Sequence, residues 1–441
     1  MKQRKKHLLF TLLLIFLTTV FIGCSQLKEN EESGKDFDKY LDDMFKTEVQ
    51  KDSLTLNYSL AHPENYGITD PKVTLGHYSV DYLKDLLVSY ENYLARLEKF
   101  NYDSLSDSQK LTYDILKEDL SLEKEMGDLI LYNEILGPTT GIQAQLPVLL
   151  AEFNFYDKGD IETYLTLLPK IQDYFNEIIE FEKEKSAAGL FMSDNVADSI
   201  IEQCEAFIAD KENNYLIDVF NDKVKNFKGL TETEVATYKE TNEKAILNYI
   251  IPSYENLIFA LSELKGTGTN NGGLCNYEHG KEYYEYLMKT NTGSSKSMAE
   301  LKKMLDESIS GNMLKLTSLL MRDPSLADTI MSINYPLTKP SEIIEYLKNE
   351  IEKDFPATPA VSCSIKYVHE SLQEHLSPAM YLIPPIDSYK DNVIYINNNP
   401  DYDLSQIFTT IAHEGYPGHL YQSVYFRDLK PAPIRSLLNF G

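Results

Sequence analysis

Residues 407–422 read IFTTIAHEGYPGHLYQ, and this stretch decides what the rest of the chain must support. Apolar residues lead into His413-Glu414, and a second histidine, His419, follows six positions after the first. Zinc favours imidazole nitrogen and carboxylate oxygen, and a hydrolytic centre needs three protein ligands and a water. A carboxylate beside that water takes its proton while the metal lowers its pKa. In the usual His-Glu-x-x-His arrangement the two histidines are four apart on one helix face. Here the spacing is six. At roughly 100° per residue, His419 would lie about 240° around a regular helix from His413. Pro417-Gly418 offers a remedy, since Pro cannot donate to the helical ladder and Gly reaches backbone angles closed to other residues. If two residues bulge out, the histidines return to an effective spacing of four. The alternative is a helix that ends at Gly415 and leaves His419 in a loop. The Pro-Gly-His sequence at the end of an apolar run favours the metal.

Upstream of this stretch the pattern is mainly helical. Val80 to Phe100 repeats apolar residues every three and four positions, as an amphipathic helix does. Ser106 with Gln109, Thr231 with Glu234 and Ser297 with Glu300 have capping-box spacing and predict three helix starts. Further helices are expected over 36–60, 143–153, 160–185, with Pro169 interrupting, and 193–213, and again from Tyr277 and Ser341. Pro252 is expected to bend the helix that Thr231 starts. The glycine-rich run Gly266 to Leu274 (GTGTNNGGL) predicts an internal boundary between two lobes. After Phe355-Pro356 the pattern changes. Val361 to Val368 and Val393 to Asn397 are short, β-branched and aromatic, so a small β-element is expected over about 361–397. The Pro-bearing stretch Ser377 to Pro385 lies between the two strands.

The segment His413-Glu414-Gly415-Tyr416-Pro417-Gly418-His419 with Gln422 resembles the DUF885 family, exported bacterial proteins related to zinc peptidases. Segments 141–153, 164–189, 276–288 and 377–397 resemble the family's in the same order, so the likeness covers nearly the whole mature chain. It implies a mainly α, zinc-peptidase-like fold, with His413 and His419 as zinc ligands and Glu414 as general base. Leu420 stands where the family usually has another histidine. The family's third ligand is a glutamate in a Glu-Gly-Trp-Ala-like motif a few dozen residues downstream. This chain stops at Gly441 with no such motif and no tryptophan, as a chain cut before its last ligand would. Within it only Glu370, Glu374, Asp401 and Asp403 are near enough in sequence to substitute. His369-Glu370 and His375 repeat the six-residue spacing without a Pro-Gly, so they are read as solvated polar residues.

Two functions are compatible with these residues. The favoured one is zinc-dependent hydrolysis of oligopeptides at the cell surface, with strand 393–397 as the rim that holds substrate by backbone pairing. That strand reads equally as a purely structural hairpin. Tyr381 and Tyr395 are weaker candidates to face the cleft and donate to the oxyanion. The other function is a non-catalytic lipoprotein that binds peptide or metal in the same helical cleft. Glu414 separates them, because a pure binding site has no need of a base beside the metal-bound water.

The N-terminus addresses the chain to the membrane surface. Lys2, Arg4, Lys5 and Lys6 precede an apolar run, Leu8 to Ile22, which suits a secretory signal and is short for a membrane span. Ile22-Gly23-Cys24-Ser25 looks like a lipoprotein box, with cleavage before Cys24 and acylation of its thiol, a reading that the acidic, polar sequence after Cys24 favours over an ordinary N-terminal membrane anchor. Residues 25–35 read as a polar tether. The remaining cysteines, Cys204, Cys275 and Cys363, lack paired spacing and indicate neither a zinc knuckle nor a disulfide framework. A formal charge of −26 repels phosphate backbones and disfavours nucleic acid as a partner.

Overall fold

The computed structural model describes residues 32–138, 140–268, 270–331, 335, 337–368, 373, 377–400, 402 and 407–438. Cys24 and the signal, the His369-Glu370-His375 group, and Glu374, Asp401 and Asp403 lie outside the described residues. In chain order the α-helices are α1 (32–49), α2 (Ser53–Ser59), α3 (Val80–Leu97), α4 (Asp107–Glu125), α5 (Ile142–Glu152), α6 (Lys158–Leu167), α7 (Ile171–Ala187), α8 (Asp194–Ile208), α9 (Tyr215–Asn226), α10 (Glu232–Ala245), α11 (Ile251–Leu264), α12 (Gly280–Thr292), α13 (Met298–Arg322), α14 (Ser325–Met331), α15 (Pro340–Ile351), α16 (Ile407–Glu414) and α17 (His419–Asp428). The fold is mainly α with one small sheet.

Local chemistry explains where helices start and stop. Thr231 with Glu234 and Ser297 with Glu300 form reciprocal capping boxes on α10 and α13. Ser106 and Gln109 exchange the same bonds ahead of α4. Each satisfies helix-terminal N–H groups that would otherwise lack partners. Pro169 lies in a 3₁₀ turn, Leu168–Lys170, between α6 and α7. Before Pro252 the chain takes a π-helical turn, Ile246–Ile250, which absorbs the missing proline donor between α10 and α11. The helix expected over 36–60 is two helices, because Asp52 leaves the ladder to cap α2 through the Thr55 N–H.

The chain forms two compact units. The described residues of the first are 32–48, 85–125 and 431–438. Its core is aromatic: Phe37 packs edge-on to Phe100 at 5.2 Å, beside Tyr40 and Tyr113. The second unit spans 49–84 and 126–430, so Gly266 to Leu274 lies inside it and does not divide the units. Cys204, Cys275 and Cys363 are free thiols.

The second unit carries the sheet: β1 (Ser362–Tyr367), β2 (Ala379–Leu382) and β3 (Asp391–Ile396), in the order β1-β3-β2. β1 runs parallel to β3, and β2 antiparallel to it with Tyr381 opposite Ile394. Here the structure corrects an expectation. The strand predicted as the rim, 393–397, falls in the middle strand, where neighbours on both sides use its backbone groups. The edge strands are β1 and β2, and β2 comes from the Pro-bearing stretch in which no strand was expected. One face of the sheet, with Ala379, Tyr381, Ile394 and Ile396, closes a core against Ile343 and Ile344 of α15, Ile407 and Ile411 of α16, and Leu420 and Val424 of α17. Each such aliphatic side chain contributes on the order of 1.5–3 kcal/mol when fully buried.

The same unit buries an ionisable group at a cost. Glu182 and Lys185 on α7 are both 0% exposed. Lys185 donates to Glu134 at 2.6 Å, whereas Glu182 stands 3.9 Å away and neither of its oxygens has a hydrogen-bond partner among the described residues. Burial pushes the Glu182 carboxyl up to about 7, opposed by Lys185 and assisted by Glu134. A folded-state pKa above the ordinary 4.5 means that protonation of Glu182 stabilises the fold below about pH 4.5, and that this contribution is lost as pH rises through 7. Glu182→Gln should therefore gain on the wild type by about 3 kcal/mol between pH 4.5 and pH 8. Urea midpoints across that range test this, and parallel curves for the two proteins would show that Glu182 titrates in the fold as it does in the unfolded chain.

Candidate metal centre

Helix α16 is placed by its apolar stripe. Ile407 and Ile411 are buried in the core below the sheet, and Glu414, one turn on from Ile411, follows them inward to 9% exposure. His413 faces outward. The helix closes with the Gly415 N–H on the Ile411 carbonyl at 2.8 Å, and α17 opens with His419.

The connection between them shows how six residues act as four. The Gly418 N–H donates to the Ala412 carbonyl, and the Tyr421 N–H to the Gly415 carbonyl, each at 3.1 Å. Both bonds span six residues where a helix spans four, so two residues are inserted into one turn. Tyr416 turns into the core at 2% exposure, and Pro417 faces solvent after a cis peptide bond. Two glycines make the closure possible. A Cβ at Gly418 would stand 1.6 Å from the His413 carbonyl oxygen. One at Gly415 would stand 2.4 Å from Ile344 Cδ1. Both clash, so the motif tolerates glycine alone without local movement.

The two imidazoles meet as a result. Their ring centroids are 4.7 Å apart with planes at 85°. One donor atom each from His413, Glu414 and His419 lie within 4.8 Å of one another. Zinc sits about 2.0–2.1 Å from imidazole nitrogen, so modest side-chain rotation would bring both histidines around one ion with the Glu414 carboxylate beside it. Nitrogen with carboxylate oxygen is also the donor chemistry that zinc takes. Among the described residues no further His, Cys, Asp or Glu joins the group. His62, His77 and His279 lie apart from it, each against a glutamate: Glu64, Glu177 and Glu282.

Sequence reasoning missed how Glu414 is held. Its Oε2 accepts a 2.9 Å hydrogen bond from the Tyr381 N–H. Backbone groups along an antiparallel strand alternate between facing the neighbour and facing away. The Tyr381 N–H therefore marks the outward edge of β2, which runs past Glu414. Tyr381 reaches the centre through its backbone, because its hydroxyl donates to Asn392 at 2.7 Å within the sheet. Tyr395 lies on the opposite face of the sheet, where its hydroxyl donates to Glu152 at 2.5 Å. Neither hydroxyl is turned toward the histidines.

Comparison with known proteins places this architecture. A solved structure from Colwellia psychrerythraea, described as a "putative lipoprotein", superposes with a TM-score of 0.75 at 16% identity, over 91% of this chain and 74% of that one. A second, from Shewanella oneidensis and described as a "putative lipoprotein of unknown function", gives 0.53 at 16% identity with the same coverage. At such identity the likeness speaks for the fold alone. No curated protein matches the chain. The profile of DUF885, a bacterial protein family of unknown function, matches residues 63–441. The chain belongs to the DUF885 family.

Proposed function

We propose that this protein is a zinc-dependent peptidase held at the outer face of the membrane by a lipid on Cys24. The observation that carries the reading is the six-residue closure, which brings His413 and His419 together with Glu414 beside the outward edge of β2. A carboxylate held beside two histidines at a strand edge is the arrangement that hydrolysis of a strand-bound peptide requires.

His413 and His419 would hold the ion through neutral imidazole nitrogens. Bound there, zinc supplies Lewis acidity toward a substrate carbonyl and acidifies water. Glu414 takes the proton from the attacking water and returns it to the leaving amine. A carboxylate has lone pairs enough to accept from Tyr381 and still do this, and the bond to a rigid strand fixes where the proton is received. With the Tyr381 N–H committed to Glu414, the outward carbonyls of Ala379 and Tyr381 would pair with an extended peptide and align its scissile carbonyl.

Three measurements test the reading. Glu414→Gln should keep zinc stoichiometry and lose roughly 10²- to 10⁴-fold in peptide hydrolysis. Activity within a few-fold of the parent would reassign Glu414 as a structural residue, whereas no hydrolysis by the zinc-loaded parent would leave a lipoprotein that binds metal or peptide without catalysis. Gly418→Ala forces a side chain onto the His413 carbonyl, so it should weaken zinc binding at least tenfold in a chelator competition while far-UV dichroism stays helical. Unchanged affinity would show that His419 does not depend on this turn. For the anchor, Cys24→Ala should abolish fatty-acid labelling and leave precursor or released protein. Undiminished labelling would exclude Cys24 as the acylated residue.

A further inference from the structure

The face of the sheet opposite the apolar core is not closed by packing. A cavity of about 280 Å³ lies between it and helices α5 and α9. Its apolar wall is made by Val148 and Ala151 of α5, Val219 of α9, Val368 after β1, and Met380 and Leu382 of β2. Four of the polar side chains around it bond within the protein. Tyr395 donates to Glu152, Lys366 reaches the Tyr395 hydroxyl at 3.2 Å, and Lys223 donates to the Ala151 and Phe153 carbonyls at the end of α5. A guest therefore meets mostly hydrocarbon.

The position of this cavity along β2 matters. Met380 and Leu382 flank Tyr381, whose N–H holds Glu414 at the strand's outward edge. Side chains directly opposite in paired strands share a face of the sheet. A peptide paired to that edge would place the residues opposite Met380 and Leu382 on the cavity face. Both lie within one residue of the point where the peptide passes Glu414. We propose that the cavity receives a large apolar side chain of the bound peptide, so that the preferred substrates carry Leu, Met or an aromatic residue next to the bond presented to Glu414. The placement of the peptide rests on the hydrolytic reading of the centre, while the occupant is argued from the cavity wall.

The chain contains no tryptophan, which gives a clean optical test. Tyr367 lines the cavity and is 55% exposed, so Tyr367→Trp places a single reporter at its mouth. In a Glu414→Gln background, which prevents turnover, the emission should respond saturably to Ala-Ala-Phe-Ala-Ala-Ala. Hexa-alanine should bind about ten- to a hundredfold more weakly, the expected worth of burying one phenyl side chain. Filling the cavity by Val219→Phe should remove that preference, and Ala151→Leu provides a second filled variant if the first fails to fold. Equal response to both peptides, a preference that survives filling, or no response to either peptide at millimolar concentration would overturn the proposal. The two readings fail separately: a phenylalanine preference in this assay without turnover by the zinc-loaded Glu414 protein leaves the cavity's occupant standing and removes only hydrolysis.

Discussion

The organisation of the centre depends on two backbone hydrogen bonds that reach across six residues instead of four. Gly418 to Ala412 and Tyr421 to Gly415 close a turn into which two extra residues have been inserted. Without that closure a regular helix would turn His419 far from His413. With it the second histidine begins a new helix and faces the first. The cost of a proline inside a helix, about 3 kcal/mol, does not arise, because α16 has ended before Pro417. Tyr416 then offsets much of what the irregular backbone forgoes by burying its ring among Ile394, Leu420 and their neighbours. That burial pushes its hydroxyl up to about 12, so Tyr416 is a neutral anchor at any ordinary pH.

The centre is rigid because its supports share one apolar core. Helices α15, α16 and α17 and one face of the sheet meet in that core, and Glu414 is the polar continuation of the buried stripe of Ile407 and Ile411. Glu414 illustrates the connection. A carboxylate nine-tenths buried needs a partner, and the Tyr381 N–H supplies one from a strand edge. The bond satisfies the carboxylate and also fixes the distance between the proton acceptor and the strand on which a peptide would lie. Stability and proposed chemistry here use the same contact.

Much of this was legible in the sequence, and the exceptions have physical causes. Capping boxes are local and reciprocal, so Ser106, Thr231 and Ser297 announced their helices directly. The bulge was legible because Pro417 and Gly418 are poor residues for a helix interior and the histidine spacing required one. Strand β2 was not, because prolines at 378, 384 and 385 flank it and its strand character comes from pairing with β3. The rim was assigned to 393–397 for the same reason: apolar, β-branched composition marks a buried central strand more strongly than an edge. The division into units was not legible either, since glycine content reports local freedom and not where contacts are sparse. The Glu414–Tyr381 bond joins residues 33 positions apart, and no local signal encodes it.

The two faces of the sheet therefore carry different duties, and the alternation of β2 connects them. Ala379 and Tyr381 are spent on the core, where any change in volume would shift α16 and with it Glu414. Met380 and Leu382 point the other way, into space that the fold leaves unfilled. Substitutions on the first face should be felt as instability, because they disturb the supports of the centre. Those on the second can vary the shape of the cavity at little cost to packing. A four-residue edge strand is short, yet its period of two is enough to place the packed support of Glu414 on one side and a cavity wall on the other. The polar ring around the cavity fits this arrangement. Lys366, Tyr395 and Glu152 form one chain of hydrogen bonds and Lys223 donates to the carbonyls at the end of α5, so an apolar guest would be sorted by shape and hydrocarbon area.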